Sequence, residues 1–405
     1  MGIPLAIVSA ILALAIIGVF SMRSSMKPLT TEQVREKLEQ LVAKIRKSNP
    51  ELAQAGLSID IPSSGFHGNF GSDAEPHNLV FHAASVGKLF TTTVIGMLID
   101  EGKLTGETRI ASLLLPGTLD GLFIIQGKDY QNEITVEQLL NHTSGIADYF
   151  ADKTLYGKTV EQLIVLEPNR EWSPYDLIEW SRTQQKPIAS PGERFHYSDT
   201  GYILLGLLIE AIEKANFQVV LHRRIFKPLG MNHTFLPFRT LPDDAKLGSP
   251  DDTDIRRQST LRPVWIDGCD VSTHRSVTAD WSGGGVASTA EDLMVFIRAM
   301  HSGALVSKNT MNWMQDFRWR FRVGIGYGRG IMELRFHEFS PFLKSFPKMY
   351  GHMGVTGIQL FQDPSSGTVI CVSAGSTKSM STSVRLVIIA LQICARHKID
   401  SLPEK

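Results

Sequence analysis

Ser85 and Lys88 stand one helical turn apart in Ser85-Val86-Gly87-Lys88, at the head of the most apolar internal stretch of the chain, and no further charged side chain follows until Asp100. Positions i and i+3 of a helix share a face, so this hydroxyl and amine can meet. A serine hydroxyl is a poor nucleophile at neutral pH until a neighbouring base accepts its proton. Burial and the positive end of a helix dipole both disfavour a charged amine, which makes Lys88 a candidate for that base. The same Ser-x-x-Lys spacing recurs at Ser24 and Lys27, where Pro28 follows, and at Ser345 and Lys348, which enclose Pro347, so neither of those pairs opens a helix. Ser85 does open one, through Leu89, Val94, Ile95, Leu98 and Ile99 to a stop near Gly102.

Two later stretches contain further candidates. Pro191-Gly192 marks a turn, followed by Tyr197-Ser198-Asp199 and the apolar run from Ile203 to Ile209, which Ser198 or Asp199 can cap. Tyr197 reads either as an aromatic packed at a helix start or as a proton carrier. Tyr350-Gly351-His352-Met353-Gly354-Val355-Thr356-Gly357, with Ile358 to Phe361, reads as one glycine-interrupted strand, glycine marking close approach of another backbone or a ligand.

Together these stretches resemble the serine β-lactamase and penicillin-binding-protein superfamily, in the branch of class C β-lactamases, D-alanyl-D-alanine carboxypeptidases, D-aminopeptidases and β-lactamase-like esterases. The resemblance runs from about residue 50 to 400. It includes Asn141-His142-Thr143-Ser144-Gly145, Phe226-Lys227-Pro228-Leu229-Gly230-Met231 and Gly283-Gly284-Gly285-Val286-Ala287-Ser288-Thr289 in family order. It implies Ser85 as nucleophile, Lys88 as its proton acceptor or orienter, and Tyr197 as the family's motif tyrosine. His352-Met353-Gly354 then stands at the Lys-Thr-Gly strand, with the amides of Ser85 and Val355 as oxyanion hole. Such a positioned proton carrier contributes about 10²- to 10⁴-fold in rate, and each oxyanion donor about 3 to 4 kcal/mol.

Asp199, Gly354, Val355 and His352 are the residues expected at the substrate. Asp199 stands where many relatives have Asn; ionised, it accepts hydrogen bonds and donates none. Its other reading is a helix cap that pairs with Lys88. His352 replaces a lysine that attracts a substrate carboxylate in many relatives, and imidazole is mostly uncharged at neutral pH. Both departures favour an ester, or a peptide with an amine near the scissile bond, over a penicillin-like anion.

Other chemistries lack their motifs. There is no Gly-x-Ser-x-Gly elbow, since Cys371-Val372-Ser373-Ala374-Gly375 lacks its first glycine. Gly96 to Lys103 is one residue too long for a phosphate loop, and Gly324-Ile325-Gly326-Tyr327-Gly328 misses the dinucleotide spacing. No His-Glu-x-x-His occurs among the 12 histidines, so no metal and no cofactor are expected, and His142 reads as part of a structural turn. With 41 basic and 41 acidic residues in 405, the chain has no electrostatic footprint for nucleic acid. Cys371 and Cys394 sit in apolar runs as buried thiols, and Cys269 completes an odd number.

The elements that must position these residues read as an α+β fold: an antiparallel sheet flanked by helices, with an inserted, mostly helical lobe. The resemblance implies a site at the lobe junction. An amphipathic helix spans Thr31 to Lys47, with Val34, Leu38, Leu41 and Ile45 on one stripe. Strands are expected near Leu57–Ile61, Arg329–Leu334, Gly357–Phe361 and Thr368–Ser373, and helices over Ala290–Met300 and Ser383–Ala395. The domain reading is a span or signal at 1–22, a lead-in at 23–50 and a hydrolase domain at 51–400 that holds the lobe at about 105–280. Met1 to Met22 carry no charged side chain, long enough to span a bilayer. Without Lys or Arg ahead of the apolar run, a retained single-pass transmembrane helix is favoured over a cleaved signal. Arg23, Lys27, Arg35 and Lys37 beyond it argue for a cytoplasmic domain, whereas cell-wall peptides, the family's commonest substrates, argue for an extracytoplasmic one. Segment 242–260, rich in Asp, reads as a polar loop. The functions expected are a membrane-tethered serine hydrolase working through an acyl-enzyme on an ester, amide or D-amino-acid peptide; a β-lactamase or carboxypeptidase in the narrow sense; or an idle scaffold on the same fold.

Overall fold

The computed structural model describes residues 27–71, 80–239 and 261–397. Helix α1 (Thr31–Ser48) opens with a reciprocal cap: the Thr30 hydroxyl accepts from the Gln33 amide, and the Gln33 side chain accepts from Thr30. Its buried stripe is Val34, Leu38 and Val42, while Leu41 and Ile45 are half-buried. Strands β1 (Gly56–Ile61) and β2 (Phe66–Phe70) follow as a hairpin. The chain then leaves the sheet for a helical excursion that includes α2 (Lys88–Asp100) and α3 (Asp199–Glu213) and holds two short hairpins. It returns through α4 (Ala290–Ser302) and lays down β3 (Trp319–Arg322), β4 (Ile325–Tyr327), β5 (Met332–Leu334), β6 (Met349–Gly354), β7 (Ile358–Gln362) and β8 (Val369–Ser373), closing with α5 (Met380–Cys394).

The eight strands form one antiparallel sheet in the order β2-β1-β8-β7-β6-β5-β4-β3. Strands from both ends of the chain meet where Leu57 of β1 faces Val372 of β8. Side chains alternate along a strand with period two, and here both faces are covered. Ile370 and Val372 of β8 join the core beneath α1 and α5, while Val369 and Cys371 join the core shared with the helical lobe. β8 is therefore buried along its whole length, as a central strand between two layers must be. Each such buried aliphatic side chain contributes about 1.5 to 3 kcal/mol.

The structure departs from the sequence reading in particular places. The expected glycine-interrupted strand is two antiparallel strands, β6 and β7, because Gly357 adopts φ +76° and turns the chain back. β3 and β4 were not expected; β3 alternates exposed Arg320 and Arg322 with half-buried Trp319 and Phe321, as an edge strand does. The charged row, rather than an apolar one, masks its strand signal. The expected transmembrane helix at 1–22 and the expected polar loop at 242–260 lie outside the described residues. Among the described residues, no helix is long and apolar enough to cross a membrane.

Candidate active site

Ser85 sits in a single 3₁₀ turn (Ala84–Gly87) that feeds directly into α2, and it is half-buried. The residue before it, Ala84, has φ +47°, a left-handed conformation that costs a non-glycine residue about 1 to 2 kcal/mol. Two hydrogen bonds hold the turn: the Ala83 amide donates to the Val286 carbonyl at 2.7 Å, and the Ala84 amide to His82 Nδ1 at 3.2 Å. Glycines let neighbouring backbones close on it. A Cβ at Gly87 would lie 2.9 Å from Gly284 Cα, and one at Gly354 would lie 2.8 Å from Ala84 Cβ and 2.9 Å from the Ala83 carbonyl. The end of β6 and the glycine run at 283–285 therefore both touch the serine turn, and Val355, just beyond β6, is exposed. The Val355 amide donates to no backbone carbonyl among the described residues.

Lys88 is fully buried. Its Nζ donates to Ser85 Oγ at 3.2 Å and to the Gly283 carbonyl at 2.6 Å, and it forms an ion pair with Asp199 Oδ1. Those three partners account for the three N–H bonds of an ammonium. The amine also lies 4.9 Å from the ring centre of Tyr197 and 5.2 Å from that of Tyr202, a cation–π box. Of the two readings of Asp199, the structure places the carboxylate on Lys88 as the second required. Asp199 is the first residue of α3; Ser198 occupies the cap position, but its hydroxyl donates to the Ala147 carbonyl instead of capping.

Tyr197 is placed by the same junction. Its ring lies 4.2 Å from that of His142 and 5.3 Å from that of Phe321. Burial, and then the Asp199 charge, push its phenol well above the ordinary tyrosine range, and the Ser85 hydroxyl beside it offsets only part of this. Tyr197 therefore keeps its proton, because it is buried and because Asp199 answers the lysine charge.

Behind Tyr197 runs a buried relay. His142 Nδ1 accepts from the Ser198 amide at 3.1 Å, so its Nε2 carries the proton and donates to Tyr327 Oη at 2.9 Å. Tyr327 in turn donates to His352 Nε2 at 3.3 Å, and His352 Nδ1 donates to the Met353 carbonyl at 2.8 Å. His352 is completely buried, both ring nitrogens are engaged, and burial lowers its pKa to about 3. Its expected place at the substrate is not where the structure puts it; it stands behind the strand as a neutral link between β4 and β6. His142, with φ +58°, is both the turn residue that was expected and the first member of this relay.

Three acids missed by the sequence reading lie in this region, Asp148 and Asp280 beside Asp199 and Asp152 against the Asp148 amide. Asp148 accepts from the Asp199 amide at 3.0 Å, and burial, then the Asp199 charge, push it well above the carboxylate range. Asp280 is raised to about 7 by burial and Asp199, with Lys88 pulling the other way. Asp152 receives His196 Nε2 at 2.7 Å. Asp280 Oδ2 lies 3.9 Å from His82 Nε2, but burial lowers His82 to about 4, so between those two values the contact joins neutral groups. An acid raised on folding contributes least where it is forced to ionise: below about pH 4 folded and unfolded states both hold the proton, and stability is lost as pH rises from there toward 7. Asp280→Asn should therefore match the unaltered protein in stability at pH 4 and exceed it at pH 7.5, by up to about 1.4 kcal/mol for each pH unit crossed between 4 and 7. Urea unfolding at both pH values measures this, and a difference independent of pH would remove Asp280 as a buried acid.

Comparison with known proteins bears on this arrangement. The family model described as Beta-lactamase matches residues 70–392. Penicillin-binding protein 4 of Amycolatopsis lactamdurans is 30% identical over 169 residues, 41% of this chain and 37% of that protein. Penicillin-binding protein 4* of Bacillus subtilis (strain 168) is 30% identical over 242 residues, 57% of this chain and 47% of that protein. The matched stretch thus spans less than half of either relative. Among solved structures, a D-stereospecific amidohydrolase from Streptomyces sp. superposes with a TM-score of 0.68 at 23% identity, covering 87% of this chain and 98% of that one, a likeness of fold.

Proposed function

This chain belongs to the beta-lactamase family, and from that premise we propose that it is a serine hydrolase that works through an acyl-enzyme on Ser85, its substrate an ester, an amide or a D-amino-acid-containing peptide. The observation that carries the reading is the contact of Ser85 Oγ with the buried Lys88 amine, itself paired with Asp199. As Ser85 attacks the carbonyl carbon, its proton passes to Lys88 Nζ while Lys88 gives one to Asp199. A carboxylate at this position supplies what an asparagine cannot, a place to put that proton. The amides of Ser85 and Val355 receive the developing oxyanion. Tyr197, neutral and beside Ser85, protonates the leaving group and recovers its proton from the Lys88–Asp199 pair. Water then enters by the reverse path and frees the serine.

The substrate class follows from the charges. His352 offers no cation at the strand, and Asp199 already answers the charge of Lys88, so neither group presents a free positive charge to an anionic group next to the scissile bond. That favours an uncharged ester or an amide bearing an amine, the chemistry that the name of the amidohydrolase neighbour suggests, over a penicillin. Tethering by residues 1–22, with the catalytic domain outside the cytoplasm, completes the proposal.

A fluorophosphonate probe tests it. The protein should be labelled at Ser85 and should turn over an activated ester, and Ser85→Ala should not be labelled. Tyr197→Phe should slow ester turnover by about 10²- to 10⁴-fold with its unfolding midpoint nearly unchanged. A stable or hydrolysed penicillin adduct would instead support the narrower penicillin-directed reading, and no reaction with any probe would leave an idle scaffold.

A further inference from the structure

The peptide that joins Ala83 to Ala84 lies in the more strained of its two orientations. Ala83 is helical, at φ −76° and ψ −12°, and Ala84 is left-handed, at φ +47°. Turning that one peptide plane over would carry both alanines into the extended region, where an L-residue is at ease, and would relieve Ala84. The observed orientation must therefore be held. At one end of the plane the Ala83 carbonyl accepts from the Val86 amide at 3.2 Å, a bond within the turn itself. At the other end the Ala84 amide donates to His82 Nδ1 at 3.2 Å, a buried bond that reaches back two residues. Among the described residues, His82 is the side chain that bonds this plane.

The surroundings of His82 suit it to that task. Its two-residue strand, Phe81–His82, pairs with Ala287–Ser288, and this anchors the backbone from which the ring reaches forward. A backbone amide can only donate, so Nδ1 is bare and the proton of the neutral ring sits on Nε2, 3.9 Å from Asp280 Oδ2. Burial lowers the imidazole pKa to about 4, which keeps Nδ1 an acceptor throughout the neutral range. The plane that His82 holds stands between the two proposed oxyanion donors. Ser85 follows it in the chain, and on its other side a Cβ at Gly354, the residue before Val355, would lie 2.9 Å from the Ala83 carbonyl oxygen. Overturning the peptide would withdraw that carbonyl from the end of β6 and re-aim the chain that enters Ser85, moving one donor amide relative to the other.

We propose that His82 is a positioning residue for the reaction at Ser85: by accepting the Ala84 amide it locks the peptide between Ala83 and Ala84 and keeps the amides of Ser85 and Val355 aimed at one oxyanion. The assignment rests on the hydrolase reading. Steady-state turnover of the activated ester and the unfolding temperature are measured for the unaltered full chain, His82→Leu and His82→Asn. Asparagine offers a carbonyl oxygen two residues ahead of the amide, the geometry of an Asx turn, whereas leucine fills the space without an acceptor. His82→Leu should lower kcat by about 10- to 100-fold, less than the roughly 10²- to 10³-fold of deleting an oxyanion donor outright. KM should stay nearly unchanged, as for an interaction that acts in the transition state, and His82→Asn should recover most of the lost kcat. ¹⁵N NMR of the imidazoles in the unaltered protein at neutral pH needs no variant to fold, and it should find the His82 proton on Nε2. An undiminished kcat in His82→Leu, an equal loss in His82→Asn, a loss carried by KM, or a His82 proton on Nδ1 would each overturn the assignment. An unaltered protein with neither ester turnover nor phosphonate labelling would remove the reaction and this role with it, whereas turnover indifferent to His82→Leu would remove the role alone.

Discussion

Ser85→Ala is expected to lower ester turnover by on the order of 10⁴- to 10⁶-fold, the range found when a nucleophile that acts as part of a unit is removed. The fold should barely register the change. Ser85 is half-buried, its hydroxyl takes one hydrogen bond from Lys88, and Lys88 keeps both the Gly283 carbonyl and Asp199 when that oxygen is gone. A stability change within about 1 kcal/mol should follow, read as the midpoint of urea unfolding beside steady-state turnover. Activity above about one hundredth of the original would place the nucleophile elsewhere and leave the Ser85 turn a packing feature.

Lys88→Met should have two large effects at once. Acylation should be lost, because no other amine faces Ser85 among the described residues. Stability should fall by about 3 to 5 kcal/mol, since Asp199 would remain buried with its counter-ion removed. The double variant Lys88→Met with Asp199→Asn separates these effects. With the stranded charge gone, most of the stability should return, but turnover and phosphonate labelling should not. Recovery of labelling in the double variant would show that the amine is dispensable to the chemistry. A failure to recover stability would show that the ion pair is not the source of the loss.

Much of this site was legible before any coordinates. The spacing of Ser85 and Lys88 at the head of an apolar run placed both on one face, and the turn-plus-helix pattern around Tyr197 placed a phenol at the start of α3. The long apolar or alternating segments, α1, α4, α5, β7 and β8, were also readable, because a buried face imposes its period on the residues that form it. What escaped were features that no local period encodes. Asp148 and Asp280 look like ordinary loop acids in sequence, and only the fold brings them against Asp199. Tyr327 sits among the glycines Gly324, Gly326 and Gly328, which drew attention to a nucleotide motif instead of to the strand β4. His352 was read by analogy with an exposed lysine, yet an imidazole is short enough to be enclosed and neutral enough to survive it.

The pairing of β1 with β8, Leu57 opposite Val372, joins segments from near opposite ends of the chain. On the ribosome, β1 must wait for the whole stretch between Ile61 and Val369 to be synthesised before this neighbour exists. Until then, the side of β1 that β8 will cover offers a row of unmatched amides and carbonyls to any passing strand. Closure of the sheet at β1 is consequently a late step relative to the synthesis of its first hairpin.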